Sequence, residues 1–89
     1  MEENTILCED LLLCDRSIQT RNAHRLIRTV YHVREHTVTH TVRGARHRLF
    51  GLLPPADLPK TEEVIRLPDT VRTKQDLLRF LRNEKPRWL

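Results

Sequence analysis

The spacing of apolar residues changes period along the chain, and each period predicts a different element. In residues 18–35, Ala23, Leu26, Ile27, Val30 and Val33 fall on one side of a 3.6-residue helix and Arg21, Arg25, Arg28 and His32 on the other. Asp15 or Ser17 can cap its start. The β-branched content of this stretch (Ile27, Thr29, Val30, Val33) favours a strand. A strand, however, turns Leu26 and Ile27 to opposite faces and sets arginines beside Leu26, so a helix is the expectation. From His36 the period becomes two, with Thr37, Thr39 and Thr41 alternating with Val38, His40 and Val42, which predicts a strand. Gly44-Ala45 can turn the chain, 47–53 can return as a second strand, and Pro54-Pro55 stops it. Pro59 belongs to an irregular loop, and 62–67 predicts a third short strand ended by Pro68-Asp69.

The two ends read as helices. Residues 3–14 carry acidic groups in their first turns, where the helix dipole favours them, and Leu7, Leu11 and Cys14 recur at helical spacing. A hairpin of 5–8 and 11–14 around Glu9-Asp10 is the competing reading. Thr73 caps a last helix through Glu84, with Asp76 at the capping-box distance, Leu77, Leu78, Phe80 and Leu81 on its apolar side, and Pro86 beyond it. The resulting order is α-α-β-β-β-α, a single α+β domain over 1–89 with helices flanking a short antiparallel sheet.

Composition narrows the class. A chain of 89 residues with 38% hydrophobic and 31% charged residues supports one thin core. Periodic apolar residues oppose full disorder, and no apolar run approaches the roughly 20 residues a bilayer needs. There is no repeat and no low-complexity tract. The first residues lack the basic stretch and small-residue cleavage site of a secretory signal. Cys8 and Cys14 are therefore expected to be reduced and buried rather than paired, and the location to be cytoplasmic or nuclear.

Charge sharpens the picture. The net charge is +4, but residues 1–15 hold five acidic groups and no Lys or Arg, whereas 16–48 hold eight arginines against Glu35 alone. Residues 49–89, the Pro-containing loop, short strand and last helix, are nearly balanced. Thirteen of the 16 basic residues are arginine, whose planar fork suits phosphate and carboxylate. A GC-rich or overlapping reading frame also enriches arginine. The asymmetry fits either a polyanionic partner or internal pairing of the acidic head with the basic middle.

Catalytic and metal chemistry find little footing. Ser17 is the only serine and has no nucleophile-elbow glycines around it, and Gly44 and Gly51 cannot form a phosphate loop. His32, His36 and His40 are four apart, which on one helix can chelate a metal, but a change from helix to strand between them breaks that geometry. No enzyme activity, cofactor or metal is expected. Two short stretches have peptide-motif character. Ile6-Leu7-Cys8-Glu9-Asp10 resembles the retinoblastoma-pocket peptide Leu-x-Cys-x-Glu, with both outer positions conservatively replaced. Arg48-Leu49-Phe50-Gly51 resembles the core of cyclin-docking peptides, with His47 where those carry a basic residue two before the leucine. Neither short match assigns the chain to a family, and Leu49 and Phe50 are equally suited to a core.

The leading expectation is a small basic accessory protein that binds nucleic acid, RNA foremost, through the helix face of Arg21, Arg25, Arg28 and His32, extended by Arg43, Arg46 and Arg48 near the hairpin turn. Scattered aromatic residues oppose a stacking platform, so backbone and shape recognition is expected. The alternative is an adaptor or regulatory factor that engages an acidic or other protein partner, or a second copy as a homodimer. It would act through the acidic head and the apolar side of 73–84, with Leu77, Leu78, Leu81 and Trp88 as contacts.

Overall fold

Alternation with period two, not 3.6, governs most of the chain. The computed structural model describes residues 5–89, and at Phe50 the backbone alone. It contains five antiparallel strands and one α-helix: β1 Leu11–Gln19, β2 Ala23–His32, β3 Thr37–Arg48, β4 Leu53–Asp57, β5 Thr61–Arg66 and α1 Lys74–Glu84. β1, β2 and β3 form a meander. β4 and β5 share the far edge of β3, β5 along residues 37–42 and β4 along 45–48.

The expected order α-α-β-β-β-α with helices flanking a short sheet is therefore incorrect: both N-terminal helices are replaced by strands, and the strand expected over 47–53 is instead the end of β3, a 3-10 turn and the start of β4. Residues 23–32 form β2 because Ile27, Thr29 and Tyr31 at alternate positions are 8%, 0% and 1% exposed, while Leu26 on the opposite side is 43% exposed. Stiff β-branched side chains fit the pleat, and burying Ile27 and Tyr31 outweighs leaving Leu26 in water. The N-terminal helix also does not form. Ile6 makes an isolated bridge to Thr73, and the chain runs into β1 with a bulge between Leu12 and Cys14. Asp10, read as a helix-dipole partner, instead accepts the Val33 backbone N–H at 2.9 Å. Positions 3 and 4 of that expected helix lie outside the described residues.

Gly44-Ala45 is not a turn, since β3 runs through it. A Cβ at Gly44 would collide with the His24 carbonyl oxygen, so glycine is required there by the close approach of β2. The chain reverses instead at a single 3-10 turn, Leu49–Gly51, with φ of 45° at Leu49 and 89° at Gly51. Pro54 and Pro55 lie inside β4, where an edge strand tolerates the missing N–H groups. The last helix forms where expected: Thr73 accepts the Asp76 backbone N–H at 3.2 Å, and Asp76 accepts the Thr73 N–H at 3.3 Å.

Cross-strand register sorts side chains onto two faces. The inner face carries Arg16, Ile18, Arg25, Ile27, Thr29, Tyr31, Val38, His40, Val42, Arg46, Glu63 and Ile65. The outer face carries Leu12, Asp15, Leu26, Arg28, Val30, His32, Thr39, Arg43, Glu62, Val64 and Arg66. Helix α1 packs on one end of the inner face. Tyr31, Val38, Leu67, Val71, Leu77, Leu81 and Trp88 form the core there, with Leu11, Leu13, Val33, Ile65 and Phe80 around it. The rest of the sheet projects past the helix. The molecule measures 50 × 24 × 22 Å with a radius of gyration of 16.0 Å, against about 12 Å for a compact chain of this length.

The chain's end is held on the middle of the inner face. The Trp88 ring stacks on His40 with centroids 4.7 Å apart and planes 4° from parallel. The Thr29 hydroxyl donates its one hydrogen to the Trp88 carbonyl (3.1 Å), so at 2.8 Å it accepts from His40 Nδ1–H, which fixes the tautomer of the neutral ring. Burial, and then the neighbouring Arg16, push the His40 pKa below its ordinary value, against a smaller opposing effect of Glu63. A folded pKa lowered in this way makes stability complete above about 6.5, the unfolded value, and loses it as acid protonates the unfolded chain first. Urea midpoints followed by Trp88 fluorescence should accordingly begin to fall below about pH 6.5. His40→Asn, which keeps a donor for Thr29, should remove that part of the slope. A variant with the wild-type pH profile would show that His40 is not its source.

Candidate nucleic-acid interface

The strand geometry splits the expected arginine stripe. Arg21 lies between β1 and β2, Arg25 is on the inner face, and Arg28 and His32 are on the outer face. Arg28 donates to Asp15 at 2.9 Å, which raises the pKa of its guanidinium, and His32 Nδ1 lies 3.5 Å from Asp10. The internal pairing of acidic head with basic middle is thus realised for Arg28 with Asp15. Arg43 is also on the outer face, and by the alternation of β3 Arg46 and Arg48 lie on the inner one.

What the sheet does bring together is a second group. On the part of the inner face that α1 leaves uncovered, Arg16 pairs across from Ile27, Arg25 across from Ile18 and Gly44, and Arg46 across from Ala23. Arg16, Arg25 and Arg46 therefore step diagonally over three adjacent strands, with neighbours about 7–8 Å apart. Arg48 continues toward the end of β3, and all four side chains are exposed. None of the four has a carboxylate partner among the described residues. The nearest acid on this face in register, Glu63, is held by Lys85 at 2.8 Å. Arg16 also donates to the Arg87 carbonyl at 3.0 Å, which ties the chain end to the patch.

Gly44 shapes the surface between them. The stem of Arg25 passes over it, with Arg25 Cγ about 3.1 Å from where a Cβ would stand. Beside it, in the gap between β4 and β5, Val42, Gly44, Leu58, Pro59 and Thr61 line a shallow cleft of ≈ 290 Å³ rimmed by Arg25 and Arg43. Apolar Ile18, Ile27 and Val42 between the arginines provide dry ground on which their stems can lie.

Sequence reasoning missed Arg16, which it placed ahead of an expected helix. The signal was the density of β-branched residues in 27–33, which turns 16, 25 and 46 to one side. The residues named for a protein partner have another task. Leu77 and Leu81 are 0% exposed, Trp88 is 6% exposed and Leu78 is half-buried. His32, His36 and His40 do not converge. His36 sits in the β2–β3 turn between the Tyr31 hydroxyl (3.2 Å) and the Pro68 carbonyl (3.1 Å), and the other two lie on opposite faces. Among the described residues no group of three His, Cys, Asp or Glu side chains could hold a metal. Cys8 and Cys14 are unpaired, with Cys8 exposed rather than buried. No described helix is long and apolar enough to cross a membrane.

Compared with protein-family models, with curated proteins and with solved structures, the chain shows no significant match to any of them.

Proposed function

We propose that this chain is a non-enzymatic nucleic-acid-binding protein of the cytoplasm or nucleus. It takes RNA foremost, through the uncovered part of its inner sheet face. The observation that carries the reading is the diagonal of Arg16, Arg25 and Arg46, extended by Arg48, exposed and without carboxylate partners among the described residues. Guanidinium groups spaced in this way can each take a phosphate while their stems rest on Ile18, Ile27 and Val42. Tyr31 and Trp88 are buried, so they offer no platform for unstacked bases. Contacts of this kind favour the phosphate backbone and carry little base selectivity.

The deciding experiment is purification with and without nuclease, followed by titration of a short single-stranded RNA at several salt concentrations. Nucleic acid should co-purify and be removed by nuclease. Affinity should fall with salt with a log–log slope near −2 to −3, as expected for three or four neutralised phosphates on a single strand. A salt-independent affinity, or none at low salt, would refute the reading. The adaptor reading has one supporting observation, at a different place from the one expected. Leu49 and Leu52 are 60% and 84% exposed at the β3–β4 turn, where the motif resembling cyclin-docking peptides lies. It predicts instead a protein partner retained after nuclease.

A further inference from the structure

The β3–β4 turn is the tip of the part of the sheet that projects past α1. The His47 N–H donates to the Asn22 carbonyl of the β1–β2 turn at 2.7 Å, and Arg48 and the Leu49–Gly51 turn extend beyond that point. The tip is apolar: Leu49, Leu52 and Leu53 are 60%, 84% and 38% exposed. Directly behind it stand Arg21, Arg46 and Arg48, all exposed and without carboxylate partners among the described residues, with His47 beside them. We propose that this tip inserts into the surface of a bilayer rich in anionic lipid, its leucines among the acyl chains and its arginines at the headgroups.

Charge and its order along the strands select this occupant. Between residues 16 and 56 the only acid is Glu35, in the β2–β3 turn at the opposite end of the sheet. In register, the acid nearest the tip is Asp57, opposite Ala45 and so about 13 Å behind Leu49. Leucines at the apex with unopposed cations a few residues behind match a membrane surface, where anionic headgroups lie just outside the hydrocarbon. RNA offers phosphates to the arginines but leaves Leu49 and Leu52 in water.

The backbone of the tip is suited to the same place. A segment enters a membrane surface at low cost only where its peptide groups need no water. The Leu52 N–H is bonded to the Leu49 carbonyl at 3.0 Å, and Pro54 and Pro55, next along edge strand β4, have no N–H to desolvate. The same two prolines deny a partner protein the donors that an added strand requires. Leu49 completes the pattern. Its φ of 45° lies in the left-handed region, where Gly or Asn is at ease, and the strained turn holds an apolar side chain out at the apex. Arg46 and Arg48 also belong to the inner-face arginine line, so lipid and RNA compete for them, whereas the leucines serve the lipid alone.

Flotation of nuclease-treated protein with lipid vesicles is the test, and its outcome is independent of whether the chain binds RNA. Vesicles of phosphatidylcholine with about 30% phosphatidylserine should carry the protein at low salt, and binding to phosphatidylcholine alone should be about tenfold or more weaker. Leu49→Ser with Leu52→Ser should weaken binding to the anionic vesicles about tenfold or more. The same variant should change affinity for a short single-stranded RNA by less than about threefold. Leu52→Trp should add an emission, above the wild-type Trp88 background, that moves to the blue on anionic vesicles and is quenched by lipids brominated on their acyl chains. Circular dichroism confirms that these exposed substitutions keep the fold. No flotation at low salt, a double serine variant that floats like the wild type, or an absence of acyl-chain quenching each overturns the proposal. A double serine variant that loses RNA affinity as fully as vesicle affinity assigns the tip to the nucleic-acid face and overturns it as well.

Discussion

Replacing both Leu77 and Leu81 by alanine should leave the chain unfolded at 25 °C. Both side chains are 0% exposed, one helical turn apart, and they point from α1 into the group around Tyr31, Val38 and Trp88. A buried leucine cut to alanine costs about 2–5 kcal/mol through lost transfer energy and the cavity left behind. A chain of this size has about 5–13 kcal/mol in total. This one is at the low end, because much of its sheet projects beyond the helix and buries little apolar surface. Two such cavities in one small core exceed what the fold can lose, and neighbouring losses of this kind couple rather than merely add. Leu52→Ala is the contrast: at 84% exposed it should change stability by less than about 0.5 kcal/mol. Circular dichroism and Trp88 emission measure both. A double variant with a wild-type urea midpoint would show that α1 is not what holds the sheet together.

The same core explains which parts of the chain could be read from sequence. The last helix was legible because its signals are local. Thr73 and Asp76 satisfy each other's backbone groups, Leu77 and Leu81 repeat at helical spacing, and Pro86 follows. The start of β3 was legible through its alternation, and β5 through the breakers that bound it, Pro59 before and Pro68-Asp69 after. β2 was not, because its apolar residues satisfy both periods: Ala23, Leu26, Ile27, Val30 and Val33 make a helical stripe, and Ile27, Thr29 and Tyr31 make a strand face. The choice between them depends on what lies above Thr29 and Tyr31, namely α1 and Trp88, which come more than 40 positions later. Long-range burial overrode local pattern. The error carried into the site. A helix gathers Arg21, Arg25, Arg28 and His32, whereas a strand separates 25 from 28 and gathers 16, 25 and 46 across three strands. The arginine-rich middle was visible in the charge distribution, but its grouping needed the register. Gly44 misled for a related reason, since a glycine required by the approach of a neighbouring strand has the same local signature as one required by a turn.

That regrouping gives the other large effect. Arg16→Ala, Arg25→Ala and Arg46→Ala together should weaken binding to a short single-stranded RNA by about 100-fold at low salt, and reduce the magnitude of its log–log salt slope by about 2. Each removed guanidinium leaves one phosphate with its counterions, so the loss should be similar for different RNA sequences. Arg16 also holds the Arg87 carbonyl, so the pair Arg25→Ala and Arg46→Ala, which leaves the chain end untouched, separates loss of contact from any loosening of the tail. The pair should account for about two-thirds of the change in slope. Arg28→Ala with Arg43→Ala removes as much charge from the outer face, where Arg28 is already committed to Asp15. If the inner face is the interface, that variant should lose less than about threefold. The comparison is made on oligonucleotides too short to bridge two copies, so that association of the protein does not enter. Equal losses from the two faces would mean that the RNA responds to net charge alone. A larger loss from the outer pair would move the interface to the opposite side of the sheet. Only an asymmetry in favour of Arg25 and Arg46 is consistent with three strands presenting one line of cations to one line of phosphates.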